Sequence, residues 1–211
     1  MNFKTSNEKG ILAGTKGYDR FTDLFIESSQ ALDFHEACKD FLSFLPTSLT
    51  NILDIGAGAG QNAAALAKLG HKITAIEPMP EFLSSAQTTY KNLNVTWLNG
   101  ALPELTSISP NDPEFDFILI NAVWHHLNDI ERESAVTRLA TLIKPGGRCA
   151  ISLRNGPAGM GTRVYPTDSN STIEQFKAMG FNCILHLKGQ PSIYSHKKDV
   201  TWSRIVLEKF S

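Results

Sequence analysis

A chain of 211 residues, 42% hydrophobic and 19% charged, has the length and composition of one folded domain with a full core. A net charge of −1 argues against nucleic acid as the default partner, and no stretch approaches the roughly 18–20 apolar residues that span a bilayer. Three cysteines, Cys38, Cys149 and Cys183, form no CxxC pair, so neither a disulfide framework nor a zinc site is indicated and a reducing cytoplasm is expected.

The segment from Met1 to Glu8 has no apolar signal core, and residues up to about Tyr18 read as a flexible or ligand-covering arm. Over residues 21–45 apolar side chains recur at helical spacing, predicting one or two helices that stop before Pro46. Strand and helix signals then alternate. A strand over 51–55 precedes a helix over 60–69 closed by Gly70, and a strand over 72–77 precedes a helix over 80–90 opened by Pro80. A third strand covers 95–98, and the apolar run 115–121 suits a central parallel strand buried on both faces. A helix over 130–143 leads through Lys144-Pro145-Gly146-Gly147, which has type II turn chemistry, to a fifth strand over 148–153. A helix over 172–179 and two strands over 181–187 and 201–209 close the chain. The order implies an α/β fold: a Rossmann-like three-layer sandwich with a mostly parallel seven-stranded sheet, an antiparallel last strand, and the final two strands paired at the sheet edge. One domain is expected over 1–211, with 1–46 forming an arm and helices over the site and 47–211 the core. The adjacent pair Lys197-Lys198 reads as a solvated loop.

The most informative segment is Asp54-Ile55-Gly56-Ala57-Gly58-Ala59-Gly60, followed by Glu77 at the end of the next strand. Glycines at a strand-to-helix turn admit a ligand that a Cβ would exclude, and a strand-end carboxylate can accept from a ribose diol. An adenosine-containing cofactor follows. A dinucleotide site prefers Gly-x-Gly-x-x-Gly, whereas here Gln61 stands where that spacing would continue, and Asp54 is unfavourable beside a pyrophosphate.

With these residues in order, the chain resembles the class I (Rossmann-like) S-adenosylmethionine-dependent methyltransferases, from about residue 51 to 209. The glycine turn looks like the family's first motif and Glu77 like its ribose-binding acid. Asn99-Gly100-Ala101-Leu102 looks like the adenine-side loop, 115–123 like the fourth-strand motif, and 142–147 like the turn before strand five. The resemblance implies S-adenosylmethionine as cofactor and S-adenosylhomocysteine as product. It implies that Gly56, Ala57 and Gly58 pass under the methionine part with Asp54 near its ammonium, and that Glu77 binds the ribose. Met79 would pack on the adenine, Gly100, Ala101 and Leu102 would frame its edge, and Asn121 and Ala122 would line the methionine end. Tyr18 resembles an aromatic arm that closes over the cofactor, although plain packing explains it as well.

Methyl transfer needs alignment of nucleophile, methyl and sulfur more than it needs a base. Where a base helps, His suits neutral pH. Ligands of an open α/β sheet sit outside the carboxyl ends of its strands, which puts Trp124, His125 and His126 beside the methyl. His125 is the candidate base. His126-Leu127 reads as structural, and adjacent residues point apart, so the His pair is a poor metal clip and no metal is expected. The long loop over 154–170 offers Arg154, Arg163 and Tyr165 to hold an anionic or aromatic acceptor, unless the arginines tie the loop to the sheet. The expected function is methylation of a small molecule by a cytoplasmic monomer or homodimer. The rivals are a catalytically silent cofactor-binding module, marked by a blocked acceptor cavity, and a dinucleotide-dependent oxidoreductase.

Overall fold

The structure is a computed structural model that describes residues 13–210 apart from 110, 111, 113 and 195. The segment read for a signal core and the first twelve residues of the arm lie outside the described residues. Seven strands form one sheet: β1 (Asn51–Ile55), β2 (Lys72–Glu77), β3 (Val95–Asn99), β4 (Phe115–Ile120), β5 (Ile143–Asn155), β6 (Phe181–Pro191) and β7 (Thr201–Lys209). Their order is β3-β2-β1-β4-β5-β7-β6. β1 to β5 pair in parallel, while β7 runs antiparallel to both β5 and β6. The last strand of the chain thus lies inside the sheet and β6 takes the edge.

The helices are α1 (Thr22–Gln30), α2 (Phe34–Ala37), α3 (Gln61–Lys68), α4 (Pro80–Thr89), α5 (Asp129–Leu142) and α6 (Ser169–Ala178). Local chemistry sets their starts. Pro80 opens α4, and Asp33 and Asp168 cap α2 and α6 with their carboxylates. At α5 the Asn128 side chain accepts the Glu131 N–H while Glu131 accepts the Asn128 N–H, a reciprocal capping box.

Strand alternation divides the core between the two sheet faces. Ile118 and Ile120 of β4 join Leu53 and Ile55 of β1 in packing under α5 and α6. Phe117 and Leu119 join Ile52 and Ala150 against Phe34 and Ala37 of α2 and Leu66 of α3. Each fully buried side chain of this size contributes roughly 1.5–3 kcal/mol. The turn expected at 144–147 lies inside β5: pairing shifts from Phe115↔Ile143 to Phe117↔Arg148, so those residues bulge from the ladder. Lys144 of the bulge forms a 3.0 Å ion pair with Asp116 of β4. On the opposite face, buried Arg204 of β7 pairs with Asp40 at 3.1 Å and ties the inserted strand to the segment after α2. No helix among the described residues is long and apolar enough to cross a membrane.

Candidate active site

The turn after β1 is held from below. The N–H groups of Gly56 and Ala57 both donate to the Ile76 carbonyl, at 2.8 and 3.0 Å. Gly58 N–H donates to Glu77 Oε2 at 2.8 Å, and Met79 N–H to Glu77 Oε1 at 2.9 Å. One carboxylate therefore joins the loops after β1 and β2. Each of its oxygens retains acceptor capacity for a further donor. At Gly56, φ is 70° and a Cβ would overlap Val123, so this glycine admits the loop after β4 as well as setting the turn. Beside Gly58 lies the Phe25 ring, stacked on Phe82 at 4.3 Å and met edge-on by Tyr18 at 5.3 Å. These two phenylalanines were legible only as apolar helix positions.

Asp54 is buried beneath the turn and does not line the cavity; its Oδ2 has no hydrogen-bond partner among the described residues. Burial pushes its pKa from an ordinary 3.8 to about 7, opposed by the Ala63 N–H and assisted by Glu77. Burial likewise raises Glu77 from 4.5 to about 7 against the two N–H groups that it accepts. Both carboxyls hold a proton in the folded chain at pH values where the unfolded chain has lost it. Their contribution to stability is complete below about pH 4 and is lost as pH rises toward 7. The ligand-free protein should therefore melt several degrees lower at pH 7.5 than at pH 5, and Asp54→Asn should flatten that fall. Thermal denaturation across this range measures it; an unchanged slope in Asp54→Asn would contradict the assignment.

A cavity of about 560 Å³ opens at the carboxyl ends of β1, β2, β4 and β5. At one end it is walled by Glu77, Met79, Ala101, Leu102 and Glu104. Gly100 does not line it and instead abuts Ser107 and Ile76. Asn99 turns away, its amide donating to the Glu77 and Pro78 carbonyls. The middle is formed by the glycine turn with Asn121 and Ala122. Ala122 has a φ of 63°, unusual for a residue with a Cβ, and its N–H donates to Ser152 Oγ at 2.8 Å. Ser152 in turn donates to Asn121 Oδ1 at 2.7 Å, so one buried hydroxyl from β5 orients both residues. No feature of the sequence singled out Ser152.

At the far end, residues 124–126 form a 3₁₀ turn that separates three neighbours completely. Trp124 does not face the acceptor space: it is fully buried against Phe176, with its indole N–H on Thr172 Oγ1 at 3.3 Å. His125 lines the cavity, and its buried Nδ1 has no hydrogen-bond partner among the described residues. Burial, then the positive fields of His126, Arg154 and Arg132, hold its pKa well below the usual range, so it is neutral. His126 is clasped on both sides. Its Nδ1 lies 2.7 Å from the Arg163 carbonyl, which can only accept, so Nδ1 carries the proton and Nε2 accepts from Tyr18 O–H at 3.1 Å. The two imidazoles do not point apart as expected; the tight turn brings their centroids to 4.1 Å.

Tyr18, Arg154 and Arg163 reach the cavity. Gly161 makes room for the first: a Cβ there would enter the Tyr18 ring and lie 2.9 Å from His126 Cε1. The arm is joined to the same loop by Thr162 N–H donating to the Lys16 carbonyl at 2.8 Å. Arg163 is fully engaged, donating to Tyr165 Oη, the His126 carbonyl and Glu131 at 3.0–3.2 Å, so it ties the loop down. Tyr165 lies under that guanidinium and outside the cavity lining. The far wall of the cavity is instead completed from the β6–β7 connection and β7, by Ile193, Tyr194, Lys197, Val200 and Trp202. Lys197 is exposed in this loop, as expected, and also stands at the cavity mouth.

Residues 52–147 match a family described as a methyltransferase domain. An uncharacterized methyltransferase of Mycobacterium tuberculosis is 35% identical over 120 residues, 54% of this chain and 58% of that protein. A demethylmenaquinone methyltransferase of Tropheryma whipplei is 30% identical over 139 residues, 64% of this chain and 54% of that protein. The chain thus spans little more than half the length of these curated relatives. A Burkholderia thailandensis 1,6-didemethyltoxoflavin-N1-methyltransferase, solved with 1,6-didemethyltoxoflavin and S-adenosylhomocysteine bound, superposes with a TM-score of 0.67. Its identity is 18%, and the match covers 100% of this chain and 99% of that one, a likeness of fold.

Proposed function

We propose that this chain carries a class I S-adenosylmethionine-dependent methyltransferase domain and transfers a methyl group from S-adenosylmethionine to a small-molecule acceptor. The observation that carries the reading is one continuous cavity running from Glu77 past the glycine turn to His125. The residues present fit the cofactor. Glu77 is anchored by two backbone N–H groups yet keeps acceptor capacity for a diol, and Met79 and Leu102 offer apolar walls to a base. Below the turn the buried Asp54 carboxyl, with Oδ2 unpaired and its pKa raised to about 7, would give up its proton beside a cationic ligand and keep it beside a pyrophosphate, which favours the former. When bound, S-adenosylmethionine supplies a methyl on a positively charged sulfur, displaced in line with the electron pair remaining on sulfur.

The chain's own residues would align and enclose the acceptor. Tyr18, clasped to His126, covers the cavity and excludes water. His125, neutral and on the cavity wall, would take a proton from an acceptor O–H or N–H. The open space beside His125 favours transfer over a silent cofactor-binding module. The names of the demethylmenaquinone and didemethyltoxoflavin enzymes, which denote small acceptors, support the same class of substrate. With it we place the protein in the cytoplasm, as a monomer or homodimer, with residues 1–211 forming one domain whose first 46 residues cover the site. Calorimetry with S-adenosylhomocysteine tests the cofactor; absence of heat at millimolar ligand would remove it. Transfer of labelled methyl to any member of a small-molecule panel would exclude the silent module.

A further inference from the structure

The acceptor end of the cavity holds two cations that no carboxylate answers. Arg154 at the end of β5 and Lys197 in the β6–β7 connection both line it. The other arginines on the wall are neutralised, Arg163 by Glu131 and Arg204 by Asp40. Arg154 donates to the Gly156 and Pro157 carbonyls, which aim the guanidinium without cancelling its charge. Lys197 Nζ sits 4.7 Å over the Tyr194 ring and makes no hydrogen bond or ion pair among the described residues. The two cations feel each other: after burial, the field of Arg154 is what lowers the Lys197 pKa. The carboxylates of the wall are engaged or placed elsewhere. Glu77 is on backbone N–H groups, Glu131 is on Arg163, and Glu104 belongs to the exposed loop after β3.

Around these cations the wall is aromatic and flat. Arg154 is in register with Trp202 across the β5–β7 ladder, and the Trp202 ring meets His125 edge-on at 6.2 Å. Like charges converging on one cavity are unfavourable until an anion joins them, and a guanidinium beside an ammonium suits a carboxylate or similar group. Indole and phenol faces suit a planar ring.

We propose that Arg154 and Lys197 form an anion subsite, and that the acceptor is a planar aromatic molecule bearing a carboxylate or like anion, with its O–H or N–H at His125. The proposal rests on the methyltransferase reading above and names its substrate class. It also removes a difficulty at His125. A proton accepted there would add positive charge beside Arg154 and Arg132, and an anionic acceptor offsets it.

The test uses 4-hydroxybenzoate and indole-3-carboxylate against their neutral amides, titrated into protein loaded with S-adenosylhomocysteine. The carboxylates should bind at least tenfold more tightly than the amides. Lys197→Gln should erase most of that preference and Lys197→Arg should keep it, with S-adenosylhomocysteine affinity unchanged in both. Equal binding of acid and amide, no binding of either, or a preference untouched in Lys197→Gln would overturn the subsite while S-adenosylhomocysteine still binds. Failure of S-adenosylhomocysteine itself to bind would instead overturn the methyltransferase reading, and this proposal with it.

Discussion

Glu77→Ala is expected to weaken S-adenosylhomocysteine binding by a factor on the order of 100 or more. The carboxylate accepts Gly58 N–H and Met79 N–H, one from each loop that frames the ligand. Hydrogen bonds to a charged acceptor contribute roughly 1.5–3 kcal/mol each, and every 1.4 kcal/mol is about tenfold in affinity. Alanine would remove the ribose contact proposed for Glu77 and would also release both loops. Glu77→Gln should lie between, because its amide oxygen can replace one acceptor and its NH₂ cannot replace the other. Calorimetry on folded variants separates the two. A Glu77→Ala protein that binds within threefold of the parent would refute the placement of the ribose here.

Trp124→Ala is expected to act on stability rather than on the acceptor. The side chain is fully buried, packs on Phe176 and donates to Thr172 Oγ1. Emptying such a site costs about 3–5 kcal/mol, and a chain of this size loses roughly 2–4 °C per kcal/mol, so Tm should fall by roughly 6–20 °C. Trp124→Phe fills part of the space and should lose a fraction of that. A variant with parental Tm and a raised KM would return Trp124 to the acceptor pocket.

Much of the Glu77 end of the cavity was legible because its residues are local. The glycine turn, the strand-end Glu77 and the apolar strands β1, β2 and β4 each lie within a few consecutive residues, where spacing dictates geometry. The start of α4 followed from Pro80, whereas the Asn128–Glu131 capping box that starts α5 was found only in the structure. Gly100 shows the limit even there: it abuts Ser107 and does not line the cavity.

The acceptor side was less legible because its residues are distant in sequence and meet only through sheet order. Placing β7 between β5 and β6 sets Trp202 beside Arg154 and swings Ile193, Tyr194 and Lys197 over the cavity. No periodicity announces that insertion. Within the turn after β4, three adjacent residues met three fates: Trp124 in the core, His125 in the cavity, His126 under Tyr18. The sequence by itself determined the fold class, the strand-to-helix turns and the Glu77 end of the cavity, since short-range spacing controls each of them. Which cations face the acceptor, which are neutralised by Glu131 and Asp40, and which aromatic walls surround them was decided by the tertiary structure, because burial and charge pairing depend on contacts between elements far apart in the chain.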